Sequence, residues 1–286
     1  MRSLAGKVVV ITGAASGIGR ALALRAAGQA AILAVSDVDE DGLAETGRLC
    51  SERGAVRVRR DRLDVRDRAA VAEYAAAVRS DLGRVDVLVN NAGVALHGDL
   101  EEVDYEDFAW VMDVDFWGVV HGSKEFLPHL VESGGHLVNI SSLFGLLAVP
   151  GQTAYSSAKF AVRGFTEALR QEMLVSGQPV RVTCVHPGGV STAIARNMRA
   201  TPSHDAAAVA EHFDTRLART SADEAAAQII DGVLAGKSRV VVGTDARLLD
   251  LLVRLAGARY QRLVAALHGR FGPQPARDRG RTNVRQ

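Results

Sequence analysis

Residues 7–20, "KVVVITGAASGIGR", set an apolar strand, a glycine-spaced turn and the start of a helix side by side. Val8 to Ile11 are an uninterrupted β-branched run, the pattern of a strand buried on both faces. Gly13, Gly17 and Gly19 follow, with Ser16 and Ile18 between them at the entry to the helix. Glycines at such a turn let the backbone bend sharply and approach a pyrophosphate, and the helix N-terminus offers unpaired N–H groups and a favourable dipole. A tight strand-to-helix turn without a ligand also uses glycine, so the neighbouring sequence has to decide between the two.

Outward from this stretch the same unit repeats. Apolar runs at 31–36 (AILAVS), 56–63 (VRVRRDRL), 84–90 (RVDVLVN), 135–141 (GHLVNIS), 180–186 (VRVTCVH) and 238–243 (SRVVVG) read as strands. Helical periodicity fills residues 18–28, 40–53, 67–82, 104–131, 152–176 and 222–235. Strand and helix in alternation predict parallel pairing through right-handed crossovers. The fold expected is α/β: a Rossmann-like, doubly wound parallel sheet of about seven strands with helices on both faces. In such sheets ligands bind beyond the carboxyl ends of the strands, which directs attention to the residues just after each one.

Composition narrows the classes of function. Lys plus Arg number 34 against 33 Asp plus Glu, a net charge of +1, so the chain offers no electrostatic case for nucleic acid. The opening "MRSLAGKVVVITG" has too short an apolar run for a signal peptide and no stretch reaches membrane-spanning length, so a cytoplasmic protein is expected. Cys50 and Cys184 form no CxxC pattern and join no pattern with the eight histidines; neither a disulfide nor a metal site is expected. Nothing marks a linker within residues 1–243, which read as one domain.

The second strand ends at Asp37, about twenty residues past the glycines, where a carboxylate can accept hydrogen bonds from adenosine ribose hydroxyls and repel a ribose phosphate. That charge argument favours NAD(H) over NADP(H). The plainer role for Asp37 is a cap on the next helix.

Four motifs now stand in order: "TGAASGIG" from Thr12, "NNAG" from Asn90 to Gly93, Tyr155-x-x-x-Lys159, and "HPGGVST" from His186 to Thr192. Together they resemble the short-chain dehydrogenase/reductase family over roughly residues 5–193. The resemblance implies an oxidoreductase acting on an alcohol/carbonyl pair. It implies Asp64 and Val65 beside the adenine, Asn91, Ala92 and Gly93 bordering the cofactor, and Pro187, Gly188, Val190 and Thr192 lining the nicotinamide amide. Asp64 has a second reading, as the cap of the helix that follows.

Tyr155 and Lys159 are four apart and share a helical face. A free phenol titrates near pH 10, too high to shuttle protons well at neutrality, and a nearby ammonium is expected to lower that value. Tyr155 would then be the acid or base that moves the substrate's proton, and in the family the lysine also holds the nicotinamide ribose. Family spacing selects Ser142 over Ser141 to stabilise the substrate oxygen. At Asp115, in "MDVDFWG", the family ordinarily has an asparagine whose backbone carbonyl holds a relay water and whose side chain steadies a helix bulge. Aspartate keeps that carbonyl but brings a charge near Lys159 that must be paired or protonated if buried. The expectation is a relay with reduced or pH-shifted efficiency.

Residues 94–100, 143–152 and about 193–220 are placed to form a substrate pocket and its cover; the first two are rich in Leu, Val, Ala and Phe, which suits a lipophilic alcohol or ketone. From Asp245 to Gln286 there are nine arginines and three aspartates. Residues 244–270 read as one amphipathic helical extension, suited to an anionic membrane surface or to packing on protein, and 271–286 as a flexible basic tail. Phe116, Trp117, Phe126, Phe160, Phe165 and Leu169 exceed what one buried face needs, and the resemblance implies a dimer or tetramer through these helices. The competing class is a dinucleotide-binding protein of the same fold whose chemistry is impaired at Asp115 and which serves interaction or sensing.

Overall fold

The structure, a computed structural model, describes residues 1–271. Seven strands form one parallel sheet: β1 (Val8–Thr12), β2 (Ile32–Asp37), β3 (Arg57–Arg62), β4 (Val87–Asn90), β5 (His136–Ile140), β6 (Arg181–Pro187) and β7 (Arg239–Val242). Their order is β7-β6-β5-β4-β1-β2-β3, so the winding reverses between β1 and β4 and opens a crevice at their carboxyl ends. Alternate residues of each strand feed opposite faces. Val9 and Ile11 join one core with α1 (Gly17–Ala27) and α9 (Ala222–Leu234). Val10 joins the other, with α3 (Arg68–Leu82), α5 (Gly118–Ser133) and α6 (Thr153–Val175). Apart from Leu22, the buried residues of α1 are small, Gly19, Ala21, Ala23, Ala26 and Ala27, which brings its backbone close to the sheet and to α9.

β3 departs from the apolar pattern: its sequence is RVRRDR and all six residues are partly or fully exposed. It is the sheet's edge, and the Arg59–Asp61 and Arg57–Asp81 ion pairs along it discourage pairing with another chain. The helix expected over 104–131 is also not uniform. α4 (Tyr105–Met112) passes through a π-helical turn (Asp113–Trp117) into α5, and that wider turn carries Asp115 to complete burial. Such turns are frequent at functional sites because they re-aim a side chain inside a helix.

The C-terminal segment differs most from its reading. It is two helices, α10 (Thr244–Ala256) and α11 (Tyr260–Phe271), broken at Gly257, whose φ of +53° favours glycine. Ala246, Leu249, Val253 and Tyr260 pack with Leu143, Leu146 and Leu147 in a core of their own, and the Tyr260 hydroxyl accepts the Ala148 N–H at 3.0 Å. The basic tail read over 271–286 lies, past Phe271, outside the described residues. Of the aromatic and leucine residues read as a subunit face, Phe126 and Leu169 are instead buried in the chain's own core, while Trp117 and Phe160 are exposed. Cys50 and Cys184 are both buried and unpaired core thiols. Among the described residues no helix is long and apolar enough to cross a membrane.

Candidate active site

The loop after β1 is held by backbone contacts that only glycine permits. A Cβ on Gly19 would stand 2.1 Å from the Gly13 carbonyl oxygen, and one on Gly13 would stand 2.6 Å from Ala92 Cα. The Asn91 side chain donates to the carbonyls of Thr12 and Gly13 at 3.0 and 2.9 Å, and Thr12 Oγ1 accepts the N–H groups of Asn91 and Ala92. Asn91 is therefore a brace between the β1 and β4 ends as well as a wall of the crevice. Arg20, which sequence reading passed over, donates to Thr46 Oγ1 and to the carbonyls of Ala15 and Gly42, tying the loop to α2 (Glu40–Glu52).

The N-terminus of α1 is unlike its neighbours. Asp39, Asp67 and Asp104 cap α2, α3 and α4 with side-chain hydrogen bonds, whereas Ser16 makes none at α1. The orphan N–H groups of α1 are thus left for an external acceptor, in a loop whose glycines allow a diphosphate to approach. The same caps settle two alternatives: Asp39 caps α2 and Asp67 caps α3, so neither Asp37 nor Asp64 does. Asp37 accepts the Ala15 N–H at 2.8 Å and the Asp39 N–H at 3.1 Å, and it borders the cavity with oxygen lone pairs to spare. Asp64 is bound by the Arg66 guanidinium, 2.6 Å from Nη2, which holds its carboxyl below the usual carboxylate range. Val65 and Arg66 line the cavity beside it.

Ser142 begins a turn after β5, its Oγ accepting the Phe144 N–H at 3.1 Å and lying against the Tyr155 phenol. Its carbonyl meets Nδ1 of His186 at 3.1 Å; since a carbonyl can only accept, that nitrogen carries the proton. Burial lowers His186 to about 4, so it stays a neutral brace for Ser142. Tyr155 and Lys159 face one way from α6, the Lys159 Nζ 5.5 Å from the phenol ring centroid, and Phe144 packs edge-on against the same ring.

Asp115 changes what this lysine does. Its Oδ1 accepts the Val94 N–H at 2.7 Å, and Lys159 Nζ sits 3.1 Å from Oδ2, off the hydrogen-bonding direction. Both side chains are buried, at 0% and 3% exposure. The charge placed near the lysine is therefore paired with it. Burial pushes the Asp115 carboxyl up, against the pull of Lys159. Burial alone would drag Lys159 down, but Asp115 and Tyr155 hold it above the usual lysine value. Lys159 does pull the Tyr155 phenol down, as expected, but the net direction is upward: burial outweighs the lysine and the Asp115 carboxylate adds to the rise. A lysine already neutralised by a carboxylate exerts less field on the phenol.

Asp37, Asp64, Asn91, Ser142, Phe144, Tyr155 and Lys159 line one cavity of about 860 Å³, with Asp115 and His186 buried behind its wall. Gly13, Ser16, Gly17, Ile18, Asp37 and Asp64 stand at one end, while Ala92, Gly93, Pro187, Gly188, Val190 and Thr192 line it further along. Beyond Ser142 and Tyr155 the wall turns apolar: Leu143, Leu147 and Val149 face Leu249, Leu252 and Val253 of α10. The cover over 193–220 contributes through α7 (Ala193–Arg196), α8 (Ala206–His212) and the turn after it, chiefly Ile194, Val209 and Phe213. It is tied down by the pairing of Leu96–His97 with Arg199–Ala200. Asp245, to which the sequence assigns no role, accepts the Gly189 N–H at 3.1 Å and holds the β6 loop against α10.

Comparison with known proteins agrees with this geometry. The short chain dehydrogenase family model matches residues 7–203. The SadH protein of Mycobacterium tuberculosis, named as an oxidoreductase, is 57% identical over 274 residues, 96% of this chain and 99% of that one. A short-chain dehydrogenase/reductase from Burkholderia phymatum solved with NAD superposes with a TM-score of 0.83 at 31% identity, over 91% of this chain and 97% of the other. An alcohol dehydrogenase from Thermococcus sibiricus solved with 5-hydroxy-NADP gives 0.71 at 28% identity, over 82% and 95%. On the glycine loop, the reversed strand order and these matches, the chain belongs to the short-chain dehydrogenase/reductase family.

Proposed function

We propose that the protein is an NAD(H)-dependent oxidoreductase that interconverts a lipophilic secondary alcohol and its carbonyl counterpart. The observation that carries this reading is the convergence of Ser142, Tyr155 and Lys159 where the polar and apolar parts of one cavity meet. The dinucleotide, when bound, supplies the hydride acceptor or donor. Tyr155 takes the hydroxyl proton of an alcohol, or returns one to a carbonyl oxygen. Ser142 donates a hydrogen bond to that oxygen as its charge develops, with its carbonyl fixed by His186. Lys159 steadies the charge of the phenol and is itself steadied by Asp115. Asp37 favours NAD(H), since a phosphate on the adenosine ribose would meet its carboxylate, while Arg62, opposite it in the sheet, is paired with Glu40 and the cavity-lining Arg66 is held by Asp64. The apolar wall of Leu147, Val149, Leu249 and Val253 excludes water and prefers a lipophilic substrate.

The Lys159–Asp115 pair supports a second reading, a dinucleotide-binding protein with impaired turnover. One experiment separates the two: nicotinamide absorbance followed with both cofactors against hydrophobic secondary alcohols and ketones. Turnover that falls by about 10²–10⁴-fold in Tyr155→Phe, with dinucleotide binding kept, is the expected result. Binding without turnover on any of these compounds would select the second reading.

A further inference from the structure

We propose that the outer face of α10 and α11 is a docking surface for an anionic phospholipid bilayer. These helices are two-sided. Inward, Leu249 and Val253 wall the cavity, and Ala246 and Tyr260 are buried. Outward, Leu248, Leu251 and Leu255 are 68%, 55% and 80% exposed, and their spacing of three and four places them on one stripe. Leu263 and Leu267, four apart on α11, are 47% and 48% exposed. Scattered exposed leucines are ordinary, but three on one stripe of α10, followed by two half-exposed ones on α11, are the kind of exposed apolar surface that marks a partner.

The charges around the leucines say which partner. Arg247 and Arg254, seven apart, border the stripe on α10, and Arg259 and Arg262 follow at the junction with α11; all four are exposed. Asp250 is mostly buried and shared between Arg239 and Arg254, so one carboxylate meets two guanidiniums and leaves Arg247, Arg259 and Arg262 unopposed by it. The rest of the chain is a poor cover: residues 272–286, GPQPARDRGRTNVRQ, hold one large aliphatic residue, Val284, and four arginines against one aspartate. A second copy in twofold pairing would set this arginine-bordered face against itself. An anionic bilayer satisfies both components, acyl chains receiving leucine and headgroups receiving guanidinium. Leu267 both lines the cavity and is half exposed, so the cavity opens on this face. Given a lipophilic substrate, as proposed above, entry from the lipid phase follows.

The test is vesicle flotation of the full chain, which needs no turnover and so stands apart from the choice of substrate. Wild type should float with phosphatidylcholine vesicles containing phosphatidylglycerol, float poorly with phosphatidylcholine alone, and detach as salt rises. Leu248→Ser/Leu251→Ser/Leu255→Ser should weaken the association by about tenfold or more, and Arg259→Glu/Arg262→Glu should weaken it too, with melting temperature checking that both variants fold. Wild type that ignores the anionic vesicles, or leucine and arginine variants that bind as well as wild type, would overturn the proposal. A wild-type dimer that the serine variant turns into a monomer, with no vesicle binding, would assign the face to a second copy instead.

Discussion

At one end of the cavity Gly13 and Gly19 hold backbone against backbone, braced by the Asn91 side chain, and at the other Leu147, Leu249 and Val253 hold side chain against side chain. The first end is made of segments that follow β1 and β4, adjacent strands of the sheet. The second is assembled from a turn after β5 and a helix about a hundred residues later, which touch only because β7 returns the chain beside β6. Backbone contacts tolerate almost no added atom, whereas an apolar wall can be reshaped at moderate cost. The polar end is therefore rigid in sequence as well as in space, and the apolar end is where specificity can be adjusted.

Substitutions at the two ends should separate cleanly, beginning with the largest effect. Gly19→Val forces a side chain onto the Gly13 carbonyl, and should abolish dinucleotide binding in fluorescence titration and lower stability by about 1–3 kcal/mol or more. Leu252→Ala at the other end should leave that titration unchanged while altering kcat/KM for bulky substrates against small ones by about tenfold. If dinucleotide affinity moved as far as substrate preference, the two ends would not be independent. Asp37→Asn removes a charge but can keep the Ala15 hydrogen bond; the NAD(H)/NADP(H) preference should relax by about tenfold or less, read as the ratio of kcat/KM values. An unchanged ratio would remove Asp37 from cofactor choice.

The smallest expected change lies where the ends meet. Asp115→Asn takes away a carboxylate that raises Tyr155 and leaves the Lys159 charge uncompensated, and both effects favour the phenolate. The sign follows: the limb of alcohol oxidation that requires deprotonated Tyr155 should move to lower pH. Lys159 loses a partner that holds it up, so its own loss of charge at high pH should begin earlier. A pH profile that coincides with wild type would show that the Asp115 charge does not reach the phenol.

Much of this was legible in the chain, for a local reason. "TGAASGIG" encodes a backbone path within eight residues, and Tyr155 and Lys159 share a face because helical geometry puts positions four apart together. The strand runs reported their own burial, except at β3, where the edge of a sheet needs no apolar face. What the sequence left open were cases in which one residue type serves two ends. Asp37 and Asp64 resemble helix caps, yet Asp39 and Asp67, two and three residues later, do the capping. The leucines of residues 244–270 signal amphipathic helix but not that one side closes the cavity, nor that Gly257 splits it.

The sequence by itself determined the parallel α/β sheet, the glycine loop and the shared helical face of Tyr155 and Lys159, because each is written in spacings shorter than one strand-helix unit or in their order along the chain, whereas Ser142 is singled out over Ser141 only by the family resemblance. Only the tertiary structure decided that Asp115 neutralises Lys159, that Tyr155 is raised rather than lowered, that His186 braces Ser142 and that α10 walls the cavity. Those outcomes depend on burial and on charges brought together from distant segments, and a low-dielectric interior gives such encounters an energy that no local pattern carries.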